Sequence, residues 1–308
     1  MLRGRSFVSM HDYSTEEIHT LLRVATRLKD ELQAGLPHPL LQGRTLAMIF
    51  AKPSTRTRVS FEIGMRHLGG HALFLSASDI QLGSGESLPD TARVLGRMAN
   101  GIVARTYAQE DVEELARHAE VPVINGLSNL LHPCQALADL LTIQEKKGRL
   151  EGIQLAYVGD SNNVTHSLLE AGAKVGMHVR VGSPQGYEPD PELWERAAAA
   201  ARRTGAKLEV TNDPIEAIRG AHIVYTDTWV SMGWEAEREE RLRTFRPYQV
   251  NAKLLAHAHP DHLFMHCLPA HRGEEVTADI IDGPRSVVFD EAENRLHVQK
   301  SLLALLMG

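Results

Sequence analysis

Short runs of β-branched and apolar residues alternate with helical stretches along the whole chain, and this alternation constrains the fold more than any other feature. A strand–helix–strand order favours parallel sheets that are covered on both faces by helices. The predicted strands are 45–50, 72–75, 102–106, 121–124, 154–158, 178–181, 208–211, 223–226, 263–266 and 286–289. We therefore predict an α/β fold of two lobes, each a mainly parallel sheet flanked by helices. Ligands are expected in an interdomain cleft, at the carboxyl ends of the strands.

The domain boundaries are predicted from the long helices and the polar stretches. The length of 308 residues fits two domains of ordinary size. Ser14 and Glu17 are spaced as a capping box that begins the first helix. A long helix is predicted over 133–147, and the polar stretch 146–149 at its end is the natural domain boundary. The last helix, from 291, is long enough to pack back on the first domain. The predicted domains are 1–147 plus 291–308, and 148–290.

Charge and cysteine content exclude several classes of protein. The 33 lysines and arginines are outnumbered by 39 acidic residues, and the net charge of −6 argues against a nucleic-acid partner. Only two cysteines occur, Cys134 and Cys267, which suits a reducing compartment. No apolar run reaches the ~18 residues that span a bilayer. We therefore expect a cytoplasmic, unprocessed protein without a membrane partner.

The segment 52–58 follows a predicted strand directly and precedes a helical run. A helix amino terminus offers unpaired N–H groups and the positive end of the helix dipole. Ser54, Thr55 and Thr57 add hydroxyl groups, and Arg56 can hold phosphate oxygens through its two-pronged guanidinium. The segment predicts an anion site; the alternative is an ordinary serine N-cap followed by solvated arginines.

Two further segments lie at predicted helix starts. His132 and Gln135 can polarise a carbonyl oxygen, although a proline in a first helical turn is common for backbone reasons alone. Asn162 and Asn163 stand where a nucleotide-binding fold would carry a glycine fingerprint. Their amides can bind a small carboxylate, or they can cap the helix locally.

Two loops after predicted strands complete the candidate chemistry. Asp227 can hold an ammonium group, and Trp229 and Trp234 favour a lid over a passive connection. Cys267 could be a nucleophile, a ligand or a contact residue, and small buried cysteines are common. A zinc site that combines His132 and Cys134 with 266–267 matches no known ligand spacing, so we expect no metal.

Taken together, these segments resemble the aspartate/ornithine carbamoyltransferase family. The resemblance lies in Ser-Thr-Arg-Thr at 54–57, His-Pro-Cys-Gln at 132–135 and His-Cys-Leu-Pro at 266–269, which occur in the family order and spacing. Asp227 with Ser-Met-Gly at 231–233 is similar to the lid of the ornithine-specific members. The likeness extends to Glu-Ala-Glu-Asn-Arg at 291–295.

The resemblance implies transfer of a carbamoyl group from carbamoyl phosphate to the δ-amino group of L-ornithine, which yields L-citrulline and phosphate in arginine metabolism, with biosynthesis expected. It implies that domain 1–147 plus 291–308 binds carbamoyl phosphate and that domain 148–290 binds ornithine. The implied catalytic residues are Arg105, His132, Thr57 and Cys267. The implied carbamoyl phosphate ligands are Ser54, Thr55, Arg56, Thr57, Gln81, Arg105, His132, Gln135, Cys267, Leu268 and Arg295. The implied ornithine ligands are Asn163, Asp227, Ser231 and Met232.

The resemblance also implies a homotrimer, or a multiple of trimers, in which Gln81 reaches the neighbouring subunit's site. No cofactor is expected. The departing phosphate can accept the proton of the attacking amine, so neither a dedicated general base nor a covalent intermediate is required. Three alternatives stay open: putrescine as the acceptor, a dehydrogenase that lacks the glycine fingerprint, and a non-catalytic sensor of carbamoyl phosphate or an amino acid.

Overall fold

The computed structural model describes residues 2–76, 85–230 and 234–308. The chain forms two compact units: unit 1 comprises Met1–Leu141 and Glu293–Gly308, and unit 2 comprises Thr142–Ala292. The boundaries of these units lie inside two long helices, whereas sequence reasoning put the boundaries near the ends of those helices, at 147/148 and 290/291.

Unit 1 is built around a parallel sheet of four strands. Its elements are α1 Thr15–Gln33, β1 Thr45–Phe50, α2 Thr55–His67, β2 His71–Ser76, α3 Leu88–Met98, β3 Gly101–Arg105, α4 Gln109–His118, β4 Val123–Leu127 and the first part of α5 Pro133–Lys147. The strand order is β2-β1-β3-β4. Strands β1 and β3 are buried along almost their entire length, which explains their continuous apolar sequences. The predicted capping box of Ser14 and Glu17 is present at the start of α1.

Unit 2 contains a second parallel sheet, of five strands. Its elements are β5 Gln154–Val158, α6 Asn163–Val175, β6 His178–Gly182, α7 Pro191–Thr204, β7 Leu208–Thr211, α8 Pro214–Ile218, β8 Ile223–Tyr225, α9 Arg238–Phe245, α10 Ala252–Leu255, β9 Leu263–Met265, α11 Ala278–Ile281 and the start of α12 Val288–Met307. The strand order is β7-β6-β5-β8-β9. Strands β6 and β7 are added on one side of β5, and β8 and β9 are added on its other side. Loops at the point where the strand order reverses in this way commonly form ligand sites.

The predicted fold class is confirmed, with two corrections to the strands. The run 286–289 is wrong as a strand, because Ser286 makes a single bridge to Phe264 and α12 begins at Val288. The apolar residues there look like a buried strand, but Val288 packs into the core of unit 2 from a helix. Strand β4 begins at Val123, directly after Pro122, rather than at 121. In the described parts of the chain, none of the helices combines the length and apolar character needed to cross a membrane.

Candidate active site

The predicted anion segment forms the turn between β1 and α2. Ser54 is the N-cap of α2, and its hydroxyl oxygen accepts the backbone N–H of Thr57 at 3.2 Å. The alternative interpretation as a serine N-cap is therefore correct in part. A capping hydroxyl still has its own proton to donate, so capping and anion binding are compatible. Arg56 is partly buried and the Thr57 side chain is fully buried.

Thr57 belongs to a hydrogen-bonded cluster that joins three distant segments of unit 1. Arg295, on α12, donates through Nη2 to Thr57 Oγ1 at 3.1 Å and through Nη1 to Gln135 Oε1 at 2.7 Å. Gln135 in turn donates through Nε2 to Asp139 Oδ1 at 2.8 Å. These side chains are all buried. The structure thus brings together Thr57, Gln135 and Arg295, three of the residues expected to bind carbamoyl phosphate.

The electrostatics of this cluster act on His132, which lies just before α5. Burial and the guanidinium groups of Arg295, Arg105 and Arg56 hold the pKa of His132 well below its ordinary value. Each cation disfavours a further positive charge on the imidazole. His132 is therefore neutral at physiological pH. The neutral imidazole can still donate a hydrogen bond from one ring nitrogen. Arg105 ends β3 and is buried.

Two residues next to these groups were missed by sequence reasoning. Lys52 is buried, with its ammonium hydrogen-bonded to Asn129 and 4.3 Å from the centre of the Tyr107 ring. Burial and the Arg105 charge lower the pKa of Lys52 to about 8. The other residue is Asp139, four positions after Gln135 on α5. Asp139 could have been found from its spacing of four residues from Gln135 on a predicted helix. Lys52 could have been found from its position two residues before Ser54.

In unit 2, the predicted ornithine ligand Asp227 lies with Cys267 and Asn162 where three neighbouring strands end. Asp227 follows β8, Cys267 follows β9, and Asn162 follows β5. The buried Asp227 carboxylate accepts Asn162 Nδ2 at 2.7 Å and the Cys267 thiol at 3.2 Å. Asn162 also caps α6 through Val164 N–H at 2.9 Å. The local-cap interpretation is therefore correct for Asn162, and Asn163 is the partly buried first residue of α6.

The segment after Asp227 is held by an internal ion pair. Arg241 Nη1 lies 2.8 Å from Asp160 Oδ2 and donates to the Trp229 carbonyl at 3.1 Å. Burial raises the pKa of Asp160 to about 6, although the Arg241 charge opposes the shift. Trp229 was expected outside the core, but only 3% of this residue is exposed, because its ring stacks on Phe245.

Trp234 is half exposed, as a loop residue would be. The predicted ligands Ser231 and Met232, with Gly233, lie outside the described residues, and so does Gln81.

The His-Cys-Leu-Pro segment has a rigid internal support. His266 is fully buried; its Nε2 lies 3.2 Å from Glu275 Oε1, and its Nδ1 accepts the N–H of Leu268 at 2.9 Å. Leu268 adopts a left-handed backbone, with φ of 57°, which costs free energy for a residue with a side chain. The His266 hydrogen bond holds this conformation in place.

The thiols and the possible metal ligands can be compared with the expectations. Cys134 is buried and donates to the Asn125 carbonyl, and burial raises its pKa to about 12. Cys134 is therefore a packed thiol rather than a thiolate ligand. Among the described residues, Asp227, His266 and Cys267 bring donor atoms within 4.8 Å of one another. Both ring nitrogens of His266 already take part in hydrogen bonds, so metal binding there would disrupt the support of Leu268.

Comparison with known proteins identifies the family to which the chain belongs. The model of the carbamoyl-P binding domain of aspartate/ornithine carbamoyltransferases matches residues 5–145, and that of the Asp/Orn binding domain matches residues 151–306. The chain therefore belongs to the aspartate/ornithine carbamoyltransferase family. The predicted family and the predicted class of enzyme, a carbamoyltransferase, are confirmed.

Individual relatives match over nearly their full length. An ornithine carbamoyltransferase of Pyrococcus abyssi is 59% identical, with 100% of this chain and 97% of that protein covered. The anabolic ornithine carbamoyltransferase of Pyrococcus furiosus is 58% identical over 100% and 98% of the two chains. Among solved structures, ornithine carbamoyltransferase from Pyrococcus furiosus superposes with a TM-score of 0.97 at 58% identity, covering 100% of this chain and 98% of that one. The Thermus thermophilus enzyme gives 0.88 at 46%, with 98% and 99% covered.

The protonation state of His132 can be predicted from the charges around it. The imidazole is expected to be neutral at pH 7, and Arg295→Gln is expected to raise its pKa, because one of the three cations that disfavour imidazolium is removed. Nitrogen-15 NMR titration of the histidines measures both effects, and the His132→Gln variant identifies the signal. An imidazolium at pH 7 in the unsubstituted protein would contradict this account.

Proposed function

We propose that this chain is an ornithine carbamoyltransferase, which converts carbamoyl phosphate and L-ornithine into L-citrulline and phosphate. The observation that carries the proposal is the buried cluster of Thr57, Arg105, His132 and Arg295 in unit 1, where cations surround a neutral imidazole. Such a cluster suits a substrate that carries both a phosphate and a carbonyl group. The anabolic relatives support a role in arginine biosynthesis, and we propose the cytoplasm as its compartment.

Carbamoyl phosphate is bound by unit 1. Its phosphate is held by Ser54, Thr55, Arg56 and Thr57 at the start of α2, where hydroxyl groups, backbone N–H groups and a guanidinium all offer protons to oxygen. Arg105 bridges the phosphate and the carbonyl oxygen, and Arg295 completes the anion pocket. The carbamoyl amide is recognised by Gln135 of the same unit. Gln81 contributes from a neighbouring subunit.

The chemical step is an attack by a neutral amine on the carbonyl carbon. A new C–N bond forms, and the carbonyl oxygen becomes an oxyanion that Arg105, His132 and Thr57 stabilise with hydrogen-bond donors placed in advance. The C–O bond to phosphate then breaks, and phosphate leaves with the bond electrons and takes the amine proton. No group of the protein has to form a covalent bond to the substrate.

Ornithine is bound by unit 2. Asn163 holds the α-carboxylate, Asp227 and Ser231 hold the α-amino group, and Met232 lines the pocket. A free alkylammonium has a pKa of ~10.4, so the δ-amino group must lose a proton before it attacks. Nearby guanidinium groups and exclusion of water lower that pKa. Cys267 contacts the δ-amino group, and its Asp227 hydrogen bond links this contact to the α-amino site.

A citrulline-formation assay tests the proposal directly. Purified protein is supplied with carbamoyl phosphate and, in parallel, with ornithine, putrescine, acetylornithine or aspartate. Turnover is expected with ornithine, because only ornithine presents an α-amino and an α-carboxylate group together with a terminal amine. Activity confined to another acceptor, or binding of carbamoyl phosphate without turnover of any acceptor, would overturn it.

The assignment of one substrate to each unit predicts opposite effects for a matched pair of variants. Arg56→Ala should weaken carbamoyl phosphate binding about 10- to 100-fold, because a charge-assisted contact to phosphate is lost. Asp227→Asn should leave that binding within about twofold and weaken ornithine binding about 10- to 100-fold. Calorimetry with each ligand measures both values. Equal loss of both ligands in either variant would refute the assignment.

Two separate apolar patches on unit 1 support the proposed homotrimer. Val59 and Ile63, one turn apart on α2, form the first patch, and Val94 and Met98, one turn apart on α3, form the second; Leu73 of β2 is also exposed. Right-handed crossovers put α2 and α3 on opposite faces of the sheet, because the chain moves outward from β1 to β2 and back from β2 to β3. Leu73 shares its face with Leu75, which packs on the cluster around Ala92 of α3. Two different patches suit a head-to-tail ring of copies.

Disruption of the second patch should therefore dissociate the ring. Met98 is 77% exposed, so Met98→Glu should leave the subunit folded but convert trimers to monomers in sedimentation velocity. Ile215→Glu, an exposed apolar position in unit 2, is the control and should leave the mass unchanged. A monomeric unsubstituted protein, or a trimer that tolerates Met98→Glu, would count against this interface.

A further inference from the structure

The Gln135 side chain lies between two buried groups of opposite charge. Its Oε1 accepts Arg295 Nη1 at 2.7 Å, and its Nε2 donates to Asp139 Oδ1 at 2.8 Å. Gln135 and Asp139 are fully buried, and Arg295 is nearly so. Both Gln135 and Asp139 are on α5, four residues apart, which places their side chains on the same face of the helix.

These two neighbours determine which end of the amide faces which group. A guanidinium has only donors, so it requires the oxygen end of Gln135, and a carboxylate has only acceptors, so it requires the nitrogen end. A flipped amide would place donor against donor and acceptor against acceptor at the same time. The orientation of Gln135 is therefore dictated by charge on both sides.

The buried carboxylate of Asp139 lowers the stability of the fold. A carboxylate buried in a helix interior loses its hydration, and aspartate is a weak helix former. An apolar residue at this position would avoid both costs. The hydrogen bond to Gln135 shows what the carboxylate does in return: it holds the amide of a neighbouring side chain.

We propose that Asp139 is a positioning residue that keeps the oxygen of Gln135, and not its NH2 group, directed at the carbamoyl group of the substrate. The inference rests on the proposed function, in which Gln135 recognises the carbamoyl amide. A carbonyl oxygen can accept two hydrogen bonds, so Oε1 can accept the carbamoyl NH2 as well as Arg295. While Oε1 accepts the substrate, the hydrogen bond from Nε2 to Asp139 continues to hold this orientation.

This orientation selects carbamoyl phosphate against acyl phosphates of the same shape. Acetyl phosphate carries a methyl group where carbamoyl phosphate carries NH2. An acceptor aimed at that position gains a hydrogen bond from NH2 and is left without one by methyl, and a site built for a hydrogen bond rejects an analogue that lacks it. A flipped Gln135 would lose this preference, because its NH2 would oppose the substrate NH2.

Dissociation constants for carbamoyl phosphate and acetyl phosphate test the proposal, measured by calorimetry on the full-length protein. The readout is their ratio, which a general loss of structure would not change. Asp139→Asn offers both a donor and an acceptor, so this neighbour no longer requires the NH2 end of Gln135 and opposition to a flipped amide is reduced to that of Arg295. We expect carbamoyl phosphate binding to weaken about tenfold and acetyl phosphate binding to change less than about twofold. Asp139→Ser, which also presents a hydroxyl donor or acceptor, should shift the ratio in the same direction and serves if Asp139→Asn does not fold.

A control and a double variant sharpen the interpretation. Glu170→Gln removes a buried helix carboxylate of unit 2, which pairs with Arg196, and should leave the ratio unchanged. Gln135→Met lacks the amide, so it should lower the ratio by itself, and adding Asp139→Asn should lower it no further. Additive effects, equal weakening of both ligands, or an unchanged ratio in Asp139→Asn would overturn the proposal.

The same experiments separate this inference from the proposed function. If the unsubstituted protein binds carbamoyl phosphate and forms citrulline while Asp139→Asn keeps the ratio, only the positioning role of Asp139 fails. If the unsubstituted protein neither prefers carbamoyl phosphate to acetyl phosphate nor forms citrulline, the proposed function fails first.

Discussion

The guanidinium of Arg295 is the group on which the organisation of unit 1 depends. It is buried on the last helix and hydrogen-bonds Thr57 on α2 and Gln135 on α5, residues that precede it by 238 and 160 positions. A buried cation requires acceptors in good geometry, so these bonds fix the relative positions of three helices. The same charge helps to keep His132 neutral. One interaction thus contributes to the fold, to the anion site and to the protonation state of an implied catalytic residue.

Unit 2 is organised by a carboxylate rather than by a cation. Asp227 collects the Asn162 amide and the Cys267 thiol at the ends of adjacent strands. In the same unit, partly buried Asp160 is paired with Arg241, which also holds the Trp229 carbonyl. The two units therefore present opposite local charges, suited to an anionic donor substrate and to an acceptor that carries amino groups. The net charge of the whole chain, −6, conceals this division.

Much of the fold was predictable because parallel strands with buried faces have a distinctive sequence. Strands β1 and β5 coincide with their predictions, as does helix α5. The run 286–289 failed because apolar periodicity over four residues does not distinguish a strand from the buried first turn of a helix. Trp229 was expected outside the core, but a loop position does not exclude burial, and its ring stacks on Phe245. A sequence motif could not tell which of the two neighbouring asparagines caps the helix. The structure shows that Asn162 is the cap of α6 and Asn163 its first residue.

The sequence by itself determined the fold class, the family and the identity of most candidate site residues, because strand alternation and short polar motifs at strand ends are local patterns. Tertiary structure decided which residues meet. The contact of Arg295 with Thr57 and Gln135, the low pKa of His132 and the capture of the Gln135 amide by Asp139 all depend on burial and on charges brought together from distant segments. Desolvation and Coulomb interactions act through space. They could therefore not be predicted from the spacing of residues along the chain.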